Sequence, residues 1–154
     1  MIKNLRVCDL ENQLAAEPPY RFTFEYEGFE PKKISAEIIG NKGDVIWQNE
    51  EDFRLPYVLA NAELERLKDY TFKITLMDEK GEKCYAATDF KVGLLGDFGK
   101  AEYIGSAFAD TAPVLHKVFD VTSTENAVLY LLTLGFSRCY INGVLVSDDY
   151  FAVN

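Results

Sequence analysis

The side chains that could do chemistry are few in this sequence, and their spacing argues against most reactions. Glu50-Glu51-Asp52 and Asp148-Asp149 are the conspicuous carboxylate clusters. A glycosidase-type acid pair needs two carboxyls roughly 5–9.5 Å apart on either side of a sugar. Consecutive residues of a strand point to opposite faces, so adjacency in sequence does not make such a pair. These residues read instead as solvated turn and edge charges, which discourage edge-to-edge strand pairing. The Asp/Asn spacing of a calcium loop is absent. His116 is the single histidine. It rules out a His-rich metal site, and no G-x-S-x-G elbow accompanies it for a Ser-His pair. Within Leu115-His116-Lys117-Val118-Phe119 it reads as a strand histidine with a structural or solvent-facing role. Cys8, Cys84 and Cys139 are odd in number and far apart. They form neither a disulfide framework nor a zinc knuckle and read as buried or half-buried free thiols, which favours a reducing compartment. No catalytic or metal-ligating residue is assigned, and no cofactor is implied.

Aromatics are the remaining candidates. A pyranose can lay its apolar face on an exposed Trp or Tyr while polar neighbours bond its hydroxyls. Trp47, Tyr57, Tyr85, Tyr103 and Tyr150 qualify by type, and Trp47 and Tyr103 are the two chosen as carbohydrate-binding candidates. The competing expectation is structural: aromatics favour strands, and Trp47 lies where sandwich cores commonly place one.

Composition narrows the classes. The chain has 154 residues, is 48% hydrophobic and 27% charged, and carries a net charge of −9. It is too apolar to be disordered. No window approaches the ~18 consecutive apolar residues of a membrane span. The start, MIKNLRVCDLENQ, has charges where a signal peptide has its apolar stretch, so export is not expected and a cytoplasmic location is weakly favoured. With no basic run longer than Lys32-Lys33, nucleic acid is not an expected partner, because phosphate binding rests on clustered Lys and Arg.

The elements that must carry these residues read as β almost throughout. Phe22, Phe24 and Tyr26 alternate with Thr23, Glu25 and Glu27, and Ile34, Ala36 and Ile38 repeat the pattern. The turn Gly40-Asn41-Lys42-Gly43 leads into Val45-Ile46-Trp47. Tyr70, Phe72, Ile74 and Leu76 form another alternating run, which Asp78-Glu79-Lys80-Gly81 turns into a partner strand through Cys84, Ala86, Thr88, Phe90 and Val92. Residues 61–68, with Asn61 as a possible N-cap, form the one segment with helical character and read best as a turn-rich crossover between sheets.

A boundary is expected near Gly93, where 93–99 places three glycines in a linker that matches no phosphate-binding loop. Residues 1–93 hold 13 basic and 18 acidic side chains, whereas 94–154 hold three and seven. In the second segment 127–134 is apolar on both alternating faces, as a doubly covered central strand would be. Leu115 to Val121 reads as another strand, and Arg138-Cys139-Tyr140-Ile141 and Val144-Leu145-Val146 flank the strong hairpin signal Asn142-Gly143. Four strands in so short a segment rarely close a sandwich. Either this sheet packs on the first domain or further strands follow it in a longer protein.

Two resemblances emerge at these residues. Pro18-Pro19, the strand series, Trp47 and above all Leu64 six residues before Tyr70 resemble a fibronectin type III domain with its tyrosine corner. Downstream, Ala101-Glu102-Tyr103-Ile104-Gly105, Pro113-Val114-Leu115-His116-Lys117-Val118-Phe119, the apolar run from Ala127 and Tyr140-Ile141-Asn142-Gly143 before Asp148-Asp149 follow in order. That series resembles the N-terminal region of bacterial α-L-rhamnosidases, in which a fibronectin-like domain precedes a β-sandwich. The expected fold is therefore all-β. A fibronectin type III-like (immunoglobulin-like) sandwich over 1–93 is followed by a partial second β-sandwich over 94–154, made of the truncated first strands of the rhamnosidase-type domain.

In that family the resemblance places glycosidase activity in a later α/α-barrel domain, so no catalytic residue is carried over. The implied function is that of a non-catalytic accessory region, partnered by a downstream catalytic domain of the same polypeptide. The alternative is a stand-alone carbohydrate-binding or adhesion module for rhamnose-containing glycans. Neither reading involves a membrane.

Overall fold

A computed structural model describes residues 1–9, 14–106, 113–125, 127–131, 133 and 136–146. The described residues contain strands and no helix, so the protein is all-β. Asp148-Asp149 and Tyr150 lie outside them.

The first compact unit runs from Met1 to Glu102. Its strands are β1 (Ile2–Val7), β2 (Tyr20–Tyr26), β3 (Lys33–Gly40), β4 (Val45–Asp52), β5 (Tyr57–Ala60), β6 (Asp69–Met77) and β7 (Lys83–Lys91). They form two antiparallel sheets, β1-β2-β5 and β4-β3-β6-β7. Seven strands divided three and four in this order make the fibronectin type III-like sandwich.

The alternating residues explain why the sheets close on each other. Phe22 and Phe24 on β2, Ile34 and Ile38 on β3, and Phe72, Ile74 and Leu76 on β6 are all buried. Phe22 and Phe72 stack across the sandwich with ring centroids 3.6 Å apart and planes 3° from parallel, and Phe90 meets Phe22 edge-on at 5.4 Å. Large apolar side chains facing each other from two sheets are what drives the layers together.

Residues 61–68 carry no helix and serve as the crossover from β5 in one sheet to β6 in the other. Here Leu64 is buried and the Tyr70 hydroxyl accepts a hydrogen bond from the Glu65 backbone N–H at 3.0 Å. This is the tyrosine corner that the Leu64–Tyr70 spacing implies. The bond pins a loop that has no ladder of its own. Tyr70→Phe removes the acceptor and leaves a partly buried N–H without a partner. It is expected to cost about 1–2 kcal/mol, read as a lower urea midpoint with an unchanged slope.

The segment after β7 remains attached to this sandwich. Gly93 donates its N–H to the Ala16 carbonyl at 2.8 Å, the Leu95 N–H reaches a Glu17 carboxylate oxygen at 2.9 Å, and Arg66 pairs with Asp97. The glycine-rich stretch 93–99 is thus tied back to the first unit by its backbone and one ion pair. The division into units falls beyond it, between Glu102 and Tyr103.

The second unit is Tyr103–Asn154. Its paired strands among the described residues are β8 (Tyr140–Ile141) and β9 (Val144–Leu145). Asn142 and Gly143 between them both have positive φ, 51° and 80°, as a two-residue hairpin turn requires. The expected strands over 115–121 and 127–134 are not formed at their described positions. The apolar pattern is there, but a strand is completed only by a neighbour that takes up its N–H and C=O groups, and no described segment does so. His116 is exposed and lies in no strand.

Candidate functional site

A shallow trough on the outer face of the four-stranded sheet is a candidate place for a ligand among the described residues. Antiparallel register builds it in two adjacent rows. Across one row Tyr85 on β7 lies opposite Thr75 on β6, which lies opposite Ser35 on β3 and then Glu50 on β4. The next row runs Ala87, Lys73, Glu37 and Gln48. Because the alternate residues Ile34, Ala36, Ile38, Phe72, Ile74 and Leu76 turn into the core, these rows face solvent. Short side chains at the centre, Ser35, Thr75 and Ala87, are flanked by long ones. The result is a cavity of about 510 Å³ lined mainly by Ser35, Glu37, Lys73, Thr75, Tyr85 and Ala87. A smaller hollow of about 170 Å³ shares Ser35 and Thr75 and extends toward Glu50, Met77 and Lys83.

Electrostatics in the trough are balanced. Glu37 and Lys73 lie directly opposite each other on neighbouring strands, yet they make no ion pair and neither head group has a hydrogen bond among the described residues. Lys33 and Glu50 approach to 4.0 Å at one end. Thr71 and Asp89 bond each other at 2.7 Å at the opposite end. Tyr85 is 78% exposed.

The two chosen aromatics fall in different units. Trp47 is half-buried on β4, opposite the fully buried Ile38, and packs against the core. Tyr103 is 76% exposed and belongs to the other unit. Tyr57 is half-buried with the Arg21 guanidinium 5.3 Å from its ring centre. Of the four of these aromatics that are described, Tyr85 is the one placed in the cavity. Glu37 and Lys73 are missed by a search for residue types. Their signal lies in the alternation of two strands combined with a register that sequence does not print.

Other reactive groups are quiet. Glu50, Glu51 and Asp52 are exposed on the edge strand β4 and alternate between its faces. No group of three His, Cys, Asp or Glu side chains suited to a metal ion comes together among the described residues. All three cysteines are free thiols. The Cys8 thiol donates to the Glu17 carbonyl at 3.3 Å. Burial pushes the Cys84 thiol up from its ordinary pKa, which disfavours the thiolate and so its use as a nucleophile.

Comparison with known proteins adds little. No family model and no curated protein matches the chain. Among solved structures the chain is similar to the crystal structure of CopC from Methylosinus trichosporium OB3b, at 15% sequence identity and a TM-score of 0.41, over 58% of this chain and 94% of that one.

Proposed function

We propose that this chain is a non-catalytic accessory β-sandwich region of an α-L-rhamnosidase-like glycoside hydrolase, supporting or positioning a catalytic domain of the same polypeptide. The observation that supports this reading is the apolar surface of the second unit. Val114 is 93% exposed, Val118 76%, Phe119 70% and Ile104 75%. Residues 103–154 bring only two basic and five acidic side chains to keep such a surface in water. Large apolar side chains left this exposed are candidates for a contact to be made. A catalytic domain on the same polypeptide makes that contact at no cost in encounter concentration. The ordered likeness from Leu64 to Asp149 gives that domain its proposed identity.

The 154-residue chain by itself is expected to bind a hydrophobic dye and to self-associate in sedimentation experiments. The double change Val118→Lys and Phe119→Glu should suppress both. The polypeptide read onward from Asn154 in the same frame should contain an α/α barrel and be monodisperse. A chain that is monomeric and dye-silent by itself, or a frame that closes at Asn154, overturns the proposal.

A further inference from the structure

We propose that the trough on the outer face of the four-stranded sheet binds a neutral pyranoside, with Tyr85 as the stacking surface and Glu37 and Lys73 as the groups that bond its hydroxyls. This goes beyond the accessory role proposed above and does not depend on it, because it rests on the first unit alone.

Four observations point to that class of ligand. The first is the ring. Tyr85 is 78% exposed and takes part in none of the ring contacts among the described residues, which gather Tyr20, Phe22, Phe24, Tyr26, Phe53, Phe72 and Phe90 inside the sandwich. Neither ring face is covered by another ring, and the flank of a sugar, with its C–H groups, suits such a face.

The second is the unpaired acid and base. Opposite charges placed directly across an antiparallel pair ordinarily meet. Glu37 and Lys73 do not, so a carboxylate that accepts and an ammonium that donates both remain open beside the ring. One acceptor and one donor at neighbouring positions match the two polarities of a vicinal diol.

The third is charge. In the larger hollow Glu37 stands against Lys73, so no cluster of one sign is present there to select an anion or a cation. A neutral polyol satisfies these groups without leaving a net charge uncompensated.

The fourth is where the backbone goes. The floor strands β3 and β6 are hydrogen-bonded on both sides, β3 to β4 and β6, and β6 to β3 and β7. A peptide added as an extra strand needs a free edge, and the trough floor offers none. β7, which carries Tyr85, is an edge strand, but over β3 and β6 recognition runs through side chains, which suits a small ligand in a cavity of about 510 Å³.

The cavity is open, so affinity in the millimolar range is expected, with stacking as its largest part. The test is an amide chemical-shift titration of the full chain with the methyl pyranosides of rhamnose, mannose, glucose and galactose. At least one should saturate, with shifts gathered at Ser35, Glu37, Lys73, Thr75, Tyr85 and Ala87. Tyr85→Ala should weaken binding about tenfold, whereas Tyr85→Phe, which keeps the ring, should hold it within about twofold. Glu37→Gln and Lys73→Ala should each weaken it roughly three- to tenfold. All three side chains lie on the outer face of the sheet, so the urea midpoints should stay near that of the parent chain. If Tyr85→Ala does shift its midpoint, the Lys73→Ala and Tyr85→Phe pair carries the test. Overturning results are no saturation with any of the four sugars, binding that Tyr85→Ala leaves intact, or shifts centred on Trp47 or on the second unit. Failure here leaves the self-association experiment unaffected, and its failure leaves this one unaffected.

Discussion

Phe72→Ala is expected to destabilise the first unit by about 3–5 kcal/mol, the largest effect of any single truncation in the sandwich. Phe72 is fully buried at the middle of β6 and stacks on Phe22 of the facing sheet at 3.6 Å. Removing the ring takes away apolar burial and leaves a cavity that two hydrogen-bonded sheets cannot collapse to fill. A domain of this size is stable by roughly 5–15 kcal/mol, so the loss is a large share of the total. In thermal unfolding it corresponds to a drop of about 15–30 °C. Trp47, the single tryptophan, is half-buried against the core, so its emission should report the transition directly. Phe72→Leu, which keeps most of the volume, should recover more than half of the deficit. A Phe72→Ala variant within about 1 kcal/mol of the parent would mean that the stacked pair does not hold the sheets together.

Raising the pH should expose a second dependence, on Tyr20. This side chain is 1% exposed at the start of β2, packed against Phe90 with ring centroids 6.2 Å apart. Burial, with a smaller contribution from the negative charge of Glu17, pushes its phenol up to about 12 from the ordinary 10. The folded protein therefore holds this proton more tightly than the unfolded chain does. Stability from this group is complete below pH 10 and is lost as the pH rises toward 12, because over that interval only the unfolded chain is free to ionise. A difference of about two pH units corresponds to roughly 3 kcal/mol. Urea midpoints measured from pH 8 to 11.5 should fall steeply above pH 10, and phenolate absorbance should show one tyrosine titrating late. In Tyr20→Phe that part of the decline should vanish. An identical pH profile in the variant would rule Tyr20 out as its source.

The two effects share a cause that the sequence shows only in part. Period-2 alternation identifies β2, β3, β6 and β7 because each has one face toward the core and one toward water. Under that condition side-chain polarity records strand geometry. The turns at 78–81 and Asn142-Gly143 are legible because their backbone needs residues that tolerate positive φ or bond their own backbone. Asp78 does the latter, accepting N–H bonds from Lys80 at 2.8 Å and Glu82 at 2.9 Å. The Leu64–Tyr70 spacing is legible for a similar reason: one short loop contains the whole device.

Two strands escape this reading. In β1 the alternation breaks where the register shifts between Lys3 and Arg6 and Asn4 takes a φ of 50°, and β5 is only four residues long. In the opposite direction, the apolar run over 127–134 suggests a covered strand, and its described positions form none. Apolarity is a property of the segment, whereas a strand needs a partner supplied from elsewhere.

The candidate site divides the same way. Sequence by itself determined that the chain is all-β, that a fibronectin type III-like sandwich occupies its first part, and which residues of its alternating strands face inward. Only the tertiary structure decided that Trp47 leans on the core, that Tyr103 lies in a separate unit, and that Tyr85 shares a trough with Glu37 and Lys73. Inward or outward is settled within a strand by local period, whereas neighbours across a sheet are settled by register between segments far apart in the chain. Glu37 and Lys73 stand on facing positions because β3 pairs with β6 although β4 and β5 come between them in sequence, and no local pattern encodes that choice.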